Sequence, residues 1–430
     1  MTSRICLLAA ILGFGTHLAR AAAEPAAKLS LQDARKIAIQ NHPRLQVAAD
    51  LAAVAKAQLQ ETRSAYYPVA AGNLTGAEAI AQSRIAAGGL NNPIVFDRLA
   101  VGLVVDFLIT DFGRTFELVR SSRLHAEAQA ATVVTTRADL LLQVELAFYG
   151  VLKAEAVRQV AAQTVRSRRL VAEQISTMAE GKLKSGLDVA FANVNLSQAE
   201  LLLVEAENAV AASHAALANA LGLSERRAFT LVEEALSPAP PSDVVGVLDR
   251  ALQNRPELSA LRLEVNAAQS FAKAERDLWF PSVSAIGAAG LIPYRESELD
   301  SRYAAAGFNV NMPIFNGFLF NARRAAAVER ARAQEQILRD TQNNIVRDAQ
   351  KAWLDATSGY QRLSVTEQLV EEASKALDLA RERYQMGLGS IVELSQAELN
   401  ETEAEIARTN ARYDYQGQFA ALNYQMGLLR

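Results

Sequence analysis

The side chains best suited to catalysis or metal binding are sparse in this 430-residue chain and stand apart from one another. Beyond the leading segment, His42, His125 and His214 each lack a second histidine or a cysteine at ligand spacing. They read as ordinary surface or groove histidines, not as a metal site. Asp111-Phe112-Gly113 spells the magnesium-binding triplet of protein kinases, but neither a glycine-rich phosphate loop nor a catalytic-loop signature accompanies it. A strand-to-helix junction is the better reading. No serine sits in a nucleophile elbow, so the sequence predicts no enzyme and no cofactor. The charge balance of 44 basic to 47 acidic residues leaves no footprint for nucleic acid or an anionic surface. What remains are acids placed just after glycine-marked turns, Glu393 and Asp188. Such an acid, repeated by oligomer symmetry in a narrow aqueous pore, forms a carboxylate ring that favours cations.

The elements that would carry these acids are unusually long. From Arg114 to Glu180, and again from Phe318 to Met386, there is no proline and only one internal glycine each, Gly150 and Gly359. Alanine, leucine, glutamate, glutamine and arginine dominate, so helix is favoured at nearly every position. At about 1.5 Å per residue each helix would run roughly 100 Å, too long for one globular core. A rod or tube is expected.

A constant spacing shows why the helix occurs twice. Asn41-His42-Pro43-Arg44-Leu45 reappears as Asn254-Arg255-Pro256-Glu257-Leu258, and Tyr67-Pro68 as Phe280-Pro281, at one offset of 213 positions. Further on, Asp111-Phe112-Gly113 aligns with Phe315-Asn316-Gly317 at 204, and Leu221-Gly222-Leu223 with Met426-Gly427-Leu428 at 205. The drop of nine places an insertion in a loop of the first copy. The expected domains are a first repeat over 24–236, a linker at 237–241 rich in proline, and a second repeat over 242–430.

Within each repeat, a helix ends at the Tyr67-Pro68 or Phe280-Pro281 junction, and alternating segments follow. Leu99, Val101, Leu103, Val105 and Phe107 share one face, as do Phe308, Val310 and Met312. Period two is a strand signal. Hairpins are therefore expected about 68–110 and 281–312, pairing 68–79 with 99–110 and 281–290 with 303–312, with loops near 80–98 and 291–302. The long helices, 114–180 and 318–386, then descend to turns, and return helices cover 189–221 and 394–426. The aromatic residues at the junctions suit an interfacial girdle or plain packing, while the prolines end a helix where no donated hydrogen bond is needed.

The first residues add a compartment. Arg4, an apolar run from Ile5 to Phe14 and Ala21-Ala22-Ala23 read as a signal peptide over 1–23, which would remove the one cysteine, Cys6, and leave 42 basic against 47 acidic residues. No later segment holds eighteen uninterrupted apolar residues, so membrane insertion after export would need strands.

Taken together, the signal peptide, tandem repeat, paired strands, long helices and glycine turns resemble the TolC-like outer-membrane efflux family. The most specific stretch is Arg383-Tyr384-Gln385-Met386-Gly387-Leu388-Gly389-Ser390-Ile391-Val392-Glu393-Leu394, which looks like the family's periplasmic tip; Gly181-Lys182-Leu183-Lys184-Ser185-Gly186-Leu187-Asp188 is a weaker version whose displaced glycine suggests a differently built turn. The resemblance implies a mainly α homotrimer, with a twelve-stranded outer-membrane barrel above a periplasmic α-helical barrel. It implies a passive exit duct in outer-membrane lipid, reached by a periplasmic adaptor and driven by an inner-membrane pump. Gly387, Leu388, Gly389, Ser390, Lys182, Leu183, Lys184 and Ser185 would form the adaptor-docking tips. Glu393 would match a gate aspartate and Gln396 stands where a second acid is expected, with Asp188 and Tyr384 as further gate residues. Four strands per chain fall short of the roughly eight a transmembrane barrel needs, which supports an oligomer on physical grounds alone. The competing expectation is a periplasmic helical-hairpin adaptor without a barrel. The cargo is not encoded in these patterns.

Overall fold

A computed structural model of the chain describes residues 27–80, 83, 94–223 and 229–429. The leading segment, Cys6 and the loop stretch Gly88 to Pro93 lie outside the described residues. In chain order come strand β1 (Ala27–Leu29), helices α1 (Leu31–Asn41) and α2 (Pro43–Arg63), strands β2 (Val69–Ala77) and β3 (Arg98–Thr110), and helices α3 (Arg114–Glu180) and α4 (Gly186–Ala220). The second copy adds β4 (Phe229–Leu231), α5 (Val244–Asn254), α6 (Pro256–Arg276), β5 (Ser282–Arg295), β6 (Arg302–Asn311), α7 (Leu319–Gln385) and α8 (Ile391–Gln425).

Local chemistry sets these ends. Ser30 and Asp243 cap α1 and α5 by accepting backbone N–H groups. Proline opens both α2 and α6, where its missing N–H costs nothing, and forces the preceding His42 and Arg255 into extended backbone that ends α1 and α5. His42 also caps α2, its Nδ1 accepting from Arg44 N at 3.2 Å.

The four long strands form one antiparallel sheet in the order β2-β3-β5-β6. Strand β5 runs on to Arg295, past the expected end near 290, because Arg98 and Leu99 of β3 supply partners for Arg295 and Tyr294. The second loop therefore shrinks to 296–301. Below the sheet, α3 and α7 are 67 residues each, and their return helices α4 and α8 are 35 each. Through the upper part the packing order is α2-α3-α6-α7, and through the lower part α4-α3-α8-α7. Midway, β1 pairs in parallel with β4 and closes a core of Leu29, Val144, Phe148, Leu217 and Leu221. These three-residue strands are too short to carry a periodicity signal. The prolines of 237–241 are held in place: Trp353 Nε1 donates to Pro241 O at 2.7 Å and Ser237 N to Gln416 Oε1 at 3.1 Å.

The structure revises one alignment. Helices α3 and α7 begin 205 residues apart, and Asp111 caps Thr115 N as Asn316 caps Phe320 N. Asp111-Phe112-Gly113 thus corresponds to Asn316-Gly317-Phe318, one position from the sequence alignment. Each junction places one phenylalanine and one glycine at positive φ, in swapped order: Phe112 (55°) then Gly113 (111°), and Gly317 (61°) then Phe318 (67°). Identity matching favoured the shared glycine, but the backbone needs the two-residue left-handed kink. The insertion is accordingly eight residues, between Ala77 and Arg98.

Candidate functional site

The two tips are where the helices reverse. In the second, Gly387 adopts φ 75°, a left-handed conformation that glycine enters without a Cβ clash, and Leu388 N closes the end of α7 onto Arg383 O at 2.8 Å. Ser390 then caps α8, accepting from Glu393 N at 3.1 Å. In the first tip, Lys182 occupies the same left-handed position at φ 62°, Leu183 N reaches Met178 O at 2.8 Å, and Ser185 caps α4. The expectation of a differently built turn is therefore corrected. Gly181 and Gly186 are not the left-handed residues; a lysine is.

The acids behave differently at the two tips. Asp188 is consumed locally in a capping box, its carboxylate accepting from Ser185 N at 2.9 Å and Ser185 Oγ at 2.8 Å. Glu393 turns away from its own cap and pairs with Arg383 Nε at 2.9 Å. Both partners are half-exposed, so water screens the pair and it contributes little stability. Gln396 is exposed and donates to Asn400 at 2.9 Å. Leu183 and Leu388, 77% and 68% exposed, crown the two turns.

Between the tips, the Lys184 ammonium sits 3.7 Å from the Tyr384 ring centroid and donates to Tyr384 O at 3.4 Å. Tyr384 is buried, and its hydroxyl has no hydrogen-bond partner among the described residues. Burial, and then the charge of Asp188, raise its phenol above the ordinary value, so it stays protonated at neutral pH. A cavity of about 440 Å³ lies beside it, lined by Leu170, Ile175, Met178, Lys184, Arg381 and Tyr384. Higher in the tube, Asn195 donates to Ser395 at 2.7 Å, and the buried Arg168 pairs with the buried Glu398 and reaches Thr402 at 3.3 Å. Burial pushes the Glu398 carboxyl up, with Arg168 opposing that shift.

Sequence reasoning missed Arg383, Arg168 and Glu398. Only the hairpin brings Arg383 to an acid ten positions on, and Arg168 and Glu398 read in sequence as solvated helix charges. His125 pairs with Glu264 at 2.8 Å and His214 with Glu155 at 3.1 Å, each a lone pair; no cluster of metal-ligating groups occurs among the described residues. At the upper junctions Tyr67 is 69% exposed, whereas Phe280 lies 6.3 Å from the Phe112 ring. Pro68 and Pro281 immediately precede β2 and β5.

Residues 34–223 and 247–428 match the profile of the family described as Outer membrane efflux protein. Protein CyaE of Bordetella pertussis is 24% identical over 379 residues, covering 86% of this chain and 78% of that one. Cobalt-zinc-cadmium resistance protein CzcC of Cupriavidus metallidurans is 27% identical over 303 residues, covering 63% and 70%. Among solved structures, the outer-membrane channel OprN superposes with a TM-score of 0.83 at 19% identity, covering 92% of this chain and 89% of that one.

Proposed function

The chain belongs to the outer membrane efflux protein family, and we propose that it works as the passive exit duct of a tripartite assembly, docking a periplasmic adaptor at its two tips. Among its relatives are a cobalt-zinc-cadmium resistance protein, an alkaline protease secretion protein and an outer membrane efflux protein, and its place is the outer membrane with an extension into the periplasm. The observation that carries the reading is that every layer of the chain ends in a free flank. Among the described residues, strands β2 and β6 are unpaired on their outer sides, and α7 bounds the helical layer opposite α2 above and α4 below. A four-stranded sheet with open edges cannot stand in lipid, whereas three copies supply an even, closed set of twelve strands. Helix α4 points the same way: it is apolar and long enough to cross a membrane by composition, yet only 11% of its most apolar window is buried within the chain. A neighbouring copy would cover it.

The tips fit the docking role because they are exposed, small in section and crowned by Leu388 and Leu183, which give an adaptor apolar contact that salt does not screen. Nothing lies within 4 Å of a Cβ built on Gly387, so a bulky residue there meets a partner before it meets its own chain. Energy would come from an inner-membrane pump behind the adaptor. Glu393 and Asp188 would brace the constriction, with Arg383 and the Ser185 cap holding each acid in place and Gln396 leaving a second ring uncharged. In the test, native protein is fractionated and run unheated on denaturing gels. Heat-labile trimers from outer membranes are expected, with Gly387→Trp abolishing export while leaving trimers intact. A soluble monomer would overturn the duct, and normal export by Gly387→Trp would overturn tip docking.

A further inference from the structure

One of the three strand pairings in the sheet has no hairpin loop to set its offset. Strands β2 and β3 belong to one copy and β5 and β6 to the other, whereas β3 and β5 pair across the copies, with α3, α4, β4, α5 and α6 between them in sequence. Composition leaves the offset open as well, because β5 carries Ala285-Ile286-Gly287-Ala288-Ala289-Gly290 and β6 carries Ala304-Ala305-Ala306-Gly307. Glycine-rich strands with small side chains specify register weakly. We propose that Tyr303 is the register lock of this pairing, its ring lying across Gly290 and seated on Gly102.

Three observations meet at this side chain. Gly102 is the register partner of Gly290, and Gly290 of Tyr303, so the three residues share one face of the sheet on successive strands. Every other residue of β6 is exposed, and Tyr303 alone is partly covered. A Cβ built on Gly102 would overlap the Tyr303 hydroxyl and stand 2.9 Å from its Cζ, and one built on Gly290 would stand 2.7 Å from Tyr303 Cε1 and 2.7 Å from Gly102 Cα. The ring therefore reaches from β6 over the backbone of β5 to that of β3, and both glycines are needed for the close approach.

The neighbours of Gly102 make the seat selective. Side chains alternate between faces, so a slip keeps the two faces of the sheet only in steps of two residues. One step either way brings Ala100 or Val104 beneath the ring, and each carries the Cβ that the ring excludes. Gly102 is the one glycine of β3, so the ring lies down at a single offset. In the duct proposed above, that offset also sets the barrel: strand number, stagger and tilt are linked, so a two-residue slip in each of three copies would shift the stagger by about six residues and change the width. The width depends on the duct reading, whereas the lock acts within a single chain.

Disulfide reporters read the offset in the full-length chain carrying Cys6→Ser, which removes the one native cysteine. Ile286→Cys is combined with Asp106→Cys, its register partner, or with Val104→Cys or Leu108→Cys, which oppose position 286 only after a two-residue slip. Opposed Cβ atoms lie about 4.5–5.5 Å apart and diagonal ones farther, so oxidation favours the opposed pair. Membrane-extracted chains, trimeric or not, are oxidised, heated without reductant and scored by gel mobility. With Tyr303 and Gly102 intact, the Asp106 pair should dominate. Tyr303→Ala and Gly102→Ala should each raise the slipped pairs at least tenfold, while Tyr303→Phe, which keeps the ring over Gly102, should leave them within twofold. Absence of either rise, or an equal rise with Tyr303→Phe, would overturn the lock. Should Tyr303→Ala chains fail to reach the membrane, Gly102→Ala, which keeps every native side chain, decides alone. Dominance of the Asp106 pair in chains that form no trimers on an unheated gel would overturn the duct reading and leave the lock standing.

Discussion

The two tips reach one backbone shape with different residues. At the left-handed position the second tip places Gly387 and the first Lys182, and after the shared serine cap one acid closes a box while the other crosses to an arginine. The second tip spends no strain on its turn and leaves its acid on the surface. The first accepts a strained lysine and locks its acid into the helix start. The repeat has thus kept the geometry of the reversal while separating its electrostatics, so a carboxylate after the turn does not have the same availability in both halves.

The largest test of the copies' equivalence concerns the helices above the tips. Ala126→Pro and Ala331→Pro sit 205 apart, and each should cost about 3 kcal/mol or more. Helix α3 packs on both sides within the chain and α7 on one, so Ala126→Pro should reduce the folded yield by circular dichroism. Ala331→Pro should chiefly lower the temperature at which trimers part on gels. Identical outcomes would abolish the distinction between a central and a flanking helix. Next, loss of the cap by Ser185→Ala should cost about 1–2 kcal/mol and Ser390→Ala nearer about 1, because only the first also gives up a hydroxyl bond donated to the acid, Ser185 Oγ to Asp188. Thermal melts compare the two, and a larger loss at Ser390 would reverse the ranking.

Smaller again is the glycine exchange. Lys182→Gly should stabilise by roughly 1 kcal/mol and Gly387→Ala destabilise by roughly the same, since an L-residue pays for the left-handed region. Opposite signs are the diagnostic. The smallest change is Tyr384→Phe, expected within about 0.5 kcal/mol because its hydroxyl has no partner among the described residues. A loss above about 1 kcal/mol in trimers, absent in the dissociated chain, would mean that assembly brings the hydroxyl an acceptor.

Much of the fold is legible in the sequence because its signals are long. Sixty residues without proline leave helix as the cheap conformation, and alternation over ten residues leaves strand. The site is less legible because its determinants are single contacts. Lys182 in a left-handed turn carries no compositional mark, and the swapped order of Phe112-Gly113 and Gly317-Phe318 misleads an alignment by identity. The Arg383–Glu393 pair depends on a reversal that brings opposite helix walls together. Arg168 and Glu398 are indistinguishable in sequence from the solvated charges around them, and burial alone sets them apart.

The matched lengths of the helices act as a ruler. Because α3 and α7 are 67 residues each, the copies bring their tips to one depth, and at about 1.5 Å per residue a seven-residue deletion in α3 alone would leave one set roughly 10 Å short. Removing matched seven-residue blocks from all four long helices would keep the same sides facing, because seven residues are close to two full turns. The distance this protein spans below the membrane is thus adjustable in two-turn steps, but only when both copies are cut together.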